Sequence, residues 1–360
     1  MEKRLQKLRE GFLNRKEGLS TDALLIIKPQ NRHYLSGFRG TTAMLLITAQ
    51  KSFLITDFRY IQQAQEQAPL FEVVKMNQAS LETLVELVKE QKIKKLGFEG
   101  DFLTYHQYKQ LGELLTGVEL VSVMGLLEEL RMIKSPEEVQ LIKKAVDLAD
   151  QAFRYILSYL KPGITEQDVA VELEYYMKKN GAEKLSFDSI IASGPRSSLP
   201  HGVATSRVLQ HGDLVKLDFG CIYQGYCSDM TRTVILGEAN PKQKEIYQIV
   251  LEAQLAALEA LGPGKTGREM DNIARQIITD KGYGQYFGHG LGHGLGLEIH
   301  EKPALAFRDE TVLQPGMAVT IEPGIYLPGW GGVRIEDLAI ITPTGKEILT
   351  KSPKELIILT

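Results

Sequence analysis

GDLVKLDFGCIYQGYCSDMTRTVIL (212–236) is echoed by GMAVTIEPGIYLPGWGGVRIEDLAII (316–341). In each stretch a largely apolar run ends on an acid, Asp218 or Glu322. A Gly/Tyr turn follows, and the return run carries a second acid, Asp229 or Glu336. A further pair, KPGITEQDVA (161–170) and GPGKTGREMD (262–271), is offset by 101 residues, against 104 for the first. Two matches at nearly one offset imply two similar α+β halves facing each other. A pseudo-twofold between them would bring four carboxylates to one place.

Acids in strands commonly sit on solvated edges. Here LVKLDFG and AVTIEPG each carry a lone acid at the end of a run that reads as a buried strand. An unpaired buried carboxylate is expensive. Four close together repel one another and stay protonated unless cations hold them. A pair of divalent metal ions resolves that conflict.

The seven histidines are unevenly spread, and three fall in HGLGHGLGLEIHE (289–301): His289, His293 and His300. His289 and His293 have the four-residue spacing of a zinc-binding helix, but Gly290 stands where that motif needs a glutamate. Alternating glycines disfavour a helix by about 1 kcal/mol each. They suit a flat strand or a turn where backbones approach closely. The spacing is not a dinucleotide loop, and GPGKT is not a phosphate loop because Glu259 occupies the position of its first glycine. A lone histidine is ordinarily a hydrogen-bonded structural residue. Three beside four candidate ligand acids point instead to a site, with His293 as metal ligand and His289 and His300 supporting it or touching substrate.

Working outward, residues 1–125 alternate apolar runs with helical stretches. ALLIIK (23–28), AMLLIT (43–48), SFLITD (52–57) and KKLGFE (94–99) read as strands, and SLETLVELVKEQ (80–91) as an amphipathic helix. This is an α/β pattern. Ser135, Pro136 and Glu138 form a capping box with proline at the first helical position, so a long helix starts there. Residues 126–360 read as the second domain. The N-terminal MEKRLQKLREGFLNRK reads as a surface helix with Leu5, Leu8 and Phe12 on one side, not a secretion signal.

The 360 residues are 43% hydrophobic and 24% charged, with net charge −3. That balance gives nucleic acid or an anionic membrane no strong field, and no apolar run would span a bilayer. Two cysteines, Cys221 and Cys227, make neither a disulfide framework nor a thiolate metal site. A cytoplasmic setting is expected.

GHGLGHGLGLEIHE, LDFG…SDMTRT, TIEPG and VRIED together resemble the pita-bread metallopeptidases, the group containing Xaa-Pro aminopeptidases, Xaa-Pro dipeptidases (prolidases) and methionine aminopeptidases. The likeness covers about residues 125–360. QNRHYLSGF and TDFRY resemble the creatinase-type N-terminal domain of the proline-specific members. The resemblance implies a pita-bread catalytic domain with pseudo-twofold halves, preceded by a smaller α/β domain. It implies five metal ligands: Asp218 on one ion, His293 and Glu322 on the other, and Asp229 and Glu336 bridging. One imidazole among four carboxylates favours Mn²⁺ foremost, with Co²⁺ or Zn²⁺ also compatible. Thr231 is suited to support a ligand carboxylate.

The implied reaction is hydrolysis of an Xaa-Pro bond by a metal-bridging hydroxide. Glu322 would shuttle the proton. His201, in SGPRSSLPHGV, matches the proton-donating or intermediate-stabilising histidine, His300 the oxyanion contact, and His289 a group near the residue after the scissile bond. Arg334 is suited either to orient substrate or ligands through a carboxylate or to form a structural ion pair. The expected substrates are small peptides with proline second. A dipeptidase is favoured, with an aminopeptidase acting on longer peptides as the alternative. A homodimer is implied, with residues near His33–Phe38 or Asp57–Tyr60 facing the partner's site. Rival readings are a non-catalytic peptide-binding relative, creatinase-like chemistry without metals, and an unrelated two-metal phosphatase. The intact ligand set disfavours the first two, and the combined motif contexts disfavour the third.

Overall fold

A computed structural model describes residues 1–14, 20–76 and 80–360. The chain forms two compact units, Met1–Arg131 and Met132–Thr360.

The first unit is built on a six-stranded mixed sheet. Its order is Glu72–Lys75, Ser52–Thr56, Ala43–Thr48, Ala23–Ile26, Lys95–Glu99 and Glu119–Val123. The central strand Ala23–Ile26 pairs antiparallel with Ala43–Thr48 and parallel with Lys95–Glu99. All four of its residues are buried, which is why ALLIIK reads as a continuous apolar run rather than an alternating one. The helix Ser80–Glu90 adds Leu84, Leu87 and Val88 to this core. The N-terminal helix Glu2–Leu13 buries Leu5, Leu8 and Phe12, spaced one helical turn apart. Of the N-terminal stretch expected to be helical, residues 15 and 16 lie outside the described residues.

In the second unit the capping box at Ser135 is present: Ser135 Oγ accepts from the Glu138 amide at 3.4 Å, and Glu138 Oε2 accepts from the Ser135 amide at 2.9 Å. It starts the helix Pro136–Leu157, whose buried Ala145, Ala149, Ala152, Phe153 and Ile156 form one apolar stripe. From there the chain runs through one pattern twice. The first pass is the helices Pro136–Leu157 and Glu166–Lys179, then antiparallel strands Ile190–Ser193, Leu214–Phe219 and Met230–Leu236. The second is the helices Pro241–Ala260 and Gly267–Asp280, then strands Gly292–Gly294, Ala318–Ile321 and Asp337–Thr342.

The repetition extends to detail. Thr165 and Thr266 each cap the second helix of their half through a capping box, with Asp168 and Glu269. The same threonines form isolated antiparallel bridges to Val208 and Val312. The helix pairs bury their apolar faces in two clusters, one centred on Phe153, Leu217 and Phe219, the other on Val250, Met270 and Ile321 with Leu214 and Ile235 of the first half joining it. Each fully buried side chain of this size contributes about 1.5–3 kcal/mol. These strands and the residues adjoining their ends thus carry all four candidate acids.

Candidate metal centre and active site

Asp218 lies near the end of Leu214–Phe219, opposite Thr231 on the return strand. Asp229 immediately precedes Met230–Leu236. Glu322 follows Ala318–Ile321, and Glu336 precedes Asp337–Thr342. His293 is the middle residue of Gly292–Gly294. All five line one cavity of about 470 Å³ within the second unit. His293 Nε2 is 3.3 Å from Glu322 Oε1 and 3.6 Å from Asp229 Oδ2. Donor atoms of Asp229, His293 and Glu336 lie within 4.8 Å of one another.

The alternating glycines permit this approach. A Cβ at Gly292 would collide with the Thr320 carbonyl, and one at Gly294 with the Lys302 carbonyl. The segment is a short strand squeezed between Glu301–Leu305 and Ala318–Ile321, and only glycine leaves the neighbouring backbones room beside His293.

Supporting groups fix the acids. Thr231 Oγ1 donates to Glu336 Oε2 at 2.7 Å. Arg334 Nε donates to Thr231 Oγ1 at 3.1 Å, and Arg334 Nη2 pairs with Asp218 Oδ2. Arg334 therefore does pair with a candidate ligand. Its Nη1 also donates to the Tyr326 hydroxyl at 2.7 Å, and that hydroxyl lies 2.8 Å from His289 Nε2. His289 is thereby held from two sides, its Nδ1 lying 2.8 Å from the Gly290 carbonyl. On the other flank, Thr320 Oγ1 accepts from the His293 amide at 3.0 Å and donates to Glu322 Oε1 at 3.1 Å.

His201 and His300 come from loops and both line the cavity. The His300 ring packs edge-on against His293, centroids 4.4 Å apart. The loop bearing it is pinned by Glu301, whose carboxylate accepts from the Glu298 amide at 3.1 Å and meets Lys134 Nζ at 3.1 Å.

Electrostatics separate the site from ordinary surface acids. Burial, then the neighbouring Glu336 and Asp218 carboxylates, hold the Asp229 pKa well above the usual carboxylate range. Burial, then Glu322 and Asp218, do the same to Glu336. Burial pushes Glu322 up to about 7. Burial lowers His293, which favours the neutral imidazole that a metal ligand requires. Burial, with Arg334 nearby, takes His289 down to about 4. Burial and the adjacent His293 lower His300.

A divalent cation fits this constellation. Asp229 Oδ1 and Glu336 Oε1 are buried and have no hydrogen-bond partner among the described residues. Orphaned carboxylate oxygens in a dry site are costly, and the oxygen-rich set with one imidazole is the donor chemistry of hard to borderline ions.

Three buried participants were not anticipated from sequence. Thr320 and Lys216 each stand two residues before an acid, on the same face of the strand by its period of two. Tyr326 belongs to the Gly/Tyr turn. The polar residue inside each apolar run was the available signal, and reading those runs only for burial passed over it.

Residues 140–343 match metallopeptidase family M24, and residues 4–133 match the creatinase/prolidase N-terminal domain. The Xaa-Pro dipeptidase of Pyrococcus furiosus is 44% identical over 359 residues, spanning 99% of this chain and 100% of that protein. Among solved structures, an Xaa-Pro dipeptidase from Bacillus anthracis is 51% identical with a TM-score of 0.97, covering 99% of each chain. An X-Pro aminopeptidase from Thermotoga maritima is 39% identical with a TM-score of 0.90, covering 94% of this chain and 97% of that one. With both of its halves matched and a buried cluster suited to divalent cations, this chain belongs to metallopeptidase family M24 and carries a creatinase/prolidase N-terminal domain.

Proposed function

We propose that the protein hydrolyses the bond between a first residue and proline, with dipeptides as its preferred substrates. The observation that carries this reading is the convergence of four carboxylates and one imidazole on a single cavity, two of the carboxylate oxygens being buried without hydrogen-bond partners among the described residues. Asp218, Asp229, His293, Glu322 and Glu336 would hold two divalent ions, Mn²⁺ foremost. When bound, such ions supply Lewis acidity for the scissile carbonyl and make water acidic enough to ionise near neutral pH.

The chain's own groups do the rest. Thr320 occupies Glu322 Oε1, leaving the other oxygen to take a proton from the attacking water and deliver it to the departing proline nitrogen. His201 and His300 donate to the oxygen that gains charge as the carbonyl carbon becomes tetrahedral. Arg334 and Tyr326 hold His289 against the side of the cavity where the residue after the scissile bond would lie. Phe187, Ile190, Val203 and Ile299 give the cavity apolar walls that fit a proline ring or an apolar first side chain. A bond to proline carries no N–H and has a restricted φ, so a dedicated cavity suits it.

The similarity to the Thermotoga maritima X-Pro aminopeptidase supports one alternative, cleavage of longer peptides by the same groups. Hydrolysis of Ala-Pro and Ala-Pro-Ala by Mn²⁺-loaded protein, each with a chelator control, separates the two. Faster, chelator-sensitive cleavage of the dipeptide is expected. Faster cleavage of the tripeptide transfers the protein to the alternative, and cleavage of neither rejects both. The protein is further read as a homodimer, which a strictly monomeric, fully active protein in analytical ultracentrifugation would contradict.

A further inference from the structure

Lys216 sits in the middle of Leu214–Phe219, opposite Thr233 on one neighbouring strand and Ala192 on the other. It is completely buried. A lysine amino group in such a position is costly unless its N–H groups find acceptors. Its Nζ lies 2.5 Å from the Leu199 carbonyl and 3.3 Å from the carbonyls of Ser197 and Pro200. It also lies 5.1 Å from the centre of the Tyr326 ring. The residue after these acceptors is His201.

The same segment is gripped elsewhere. Arg334 Nη1 and Nη2 each donate to the Pro200 carbonyl at 3.2 Å. Ser197 Oγ accepts from the Gly332 amide at 2.8 Å and donates to the Gly194 carbonyl at 2.6 Å. Within the loop itself the backbone bonds are short-range: Leu199 to Arg196, Gly202 to Leu199, and Val203 to His201. His201 has no strand or helix of its own. Its location depends on what binds the carbonyls before it.

We propose that Lys216 is a positioning residue that acts through His201: by gathering the carbonyls of Ser197, Leu199 and Pro200 onto one buried amino group, it sets the loop so that the His201 imidazole faces the reacting carbonyl. The kinetic consequence rests on the Xaa-Pro reading, whereas the structural consequence does not.

Two substitutions of similar volume test this, Lys216→Met, which removes the donors, and Lys216→Gln, which keeps an amide. Hydrogen exchange of the full-length protein, followed by mass spectrometry, is read first. Faster exchange confined to peptides covering 194–203 is expected, larger for K216M than for K216Q. Unchanged exchange there in both variants overturns the proposal whatever the activity. Kinetics on Ala-Pro are read second. K216M is expected to lower kcat about 10- to 100-fold, the cost of misplacing a catalytic group, with KM changed less than about twofold. In a His201→Ala background the same substitution is expected to change kcat less than about twofold, because coupled residues are not additive. Full additivity in that cycle assigns Lys216 a purely structural role and also overturns the proposal. Wild-type protein that does not cleave Ala-Pro rejects the substrate reading instead, and the exchange result still decides the role of Lys216.

Discussion

The two halves of the catalytic unit share a scaffold but not a task. Both present an acid at or just past the end of a buried strand and another before the return strand, yet the first half uses aspartates, Asp218 and Asp229, and the second glutamates, Glu322 and Glu336. The only imidazole of the set, His293, comes from the second half, and its counterpart strand Ile190–Ser193 supplies no ligand type to that position. Two residues before each strand-end acid the halves diverge again: Lys216 reaches away to the His201 loop, while Thr320 ties the His293 backbone to Glu322. Duplicated strands put charges of one sign face to face, and the differences between the halves turn that repulsive cluster into a site with distinct positions.

The largest effect is expected from breaking the symmetry at the paired acids. Asp229→Asn and Glu336→Gln each remove one oxygen donor from a different half. Both should lower kcat/KM on Ala-Pro by on the order of 10³-fold, several kcal/mol of lost stabilisation, and both should lower bound metal measured by elemental analysis. Near-wild-type metal content in either variant would show that the halves contribute unequally. A smaller effect is expected at Thr231, which joins Glu336 to Arg334 and so links the halves. Thr231→Val should weaken Mn²⁺ binding by about 10- to 100-fold in a competitive titration. An unchanged affinity would make that hydrogen bond incidental.

The smallest effect concerns pH. Asp229, Glu336 and Glu322 have folded pKa values raised above the unfolded references of about 3.9 for aspartate and about 4.3 for glutamate, Glu322 to about 7. The metal-free folded chain therefore binds more protons than the unfolded chain, and its stability from these groups falls as pH rises through that window. Bound cations remove the penalty. The Tm gap between Mn²⁺-saturated and metal-free protein should widen from pH 5 to pH 8 by roughly 5 °C or more. A constant gap would mean that Asp229, Glu336 and Glu322 do not bind protons in the metal-free fold as described.

The duplicated plan was readable because two pairs of similar segments recur at nearly one offset, and because Ser135 announces its helix by local capping chemistry. Asp218 and Glu322 stood out because each ends an apolar run, and Asp229 and Glu336 because each follows at the matching place of the repeat. Long-range hydrogen bonds were not readable. The contact of Arg334 with Asp218 spans more than a hundred residues, and the choice of Pro200, Leu199 and Ser197 as acceptors for Lys216 depends on how a loop folds back. Tyr326 joins His289 to Arg334 only once three separate segments have met, and no local pattern encodes that.

The most direct test of the two-ion site is calorimetric titration of Mn²⁺ into chelator-stripped protein, with ion stoichiometry as the readout. Two ions per chain, falling in both D229N and E336Q, are the expected result. Binding of none, or of ions indifferent to both substitutions, would contradict the assignment of the buried carboxylate cluster as a metal centre.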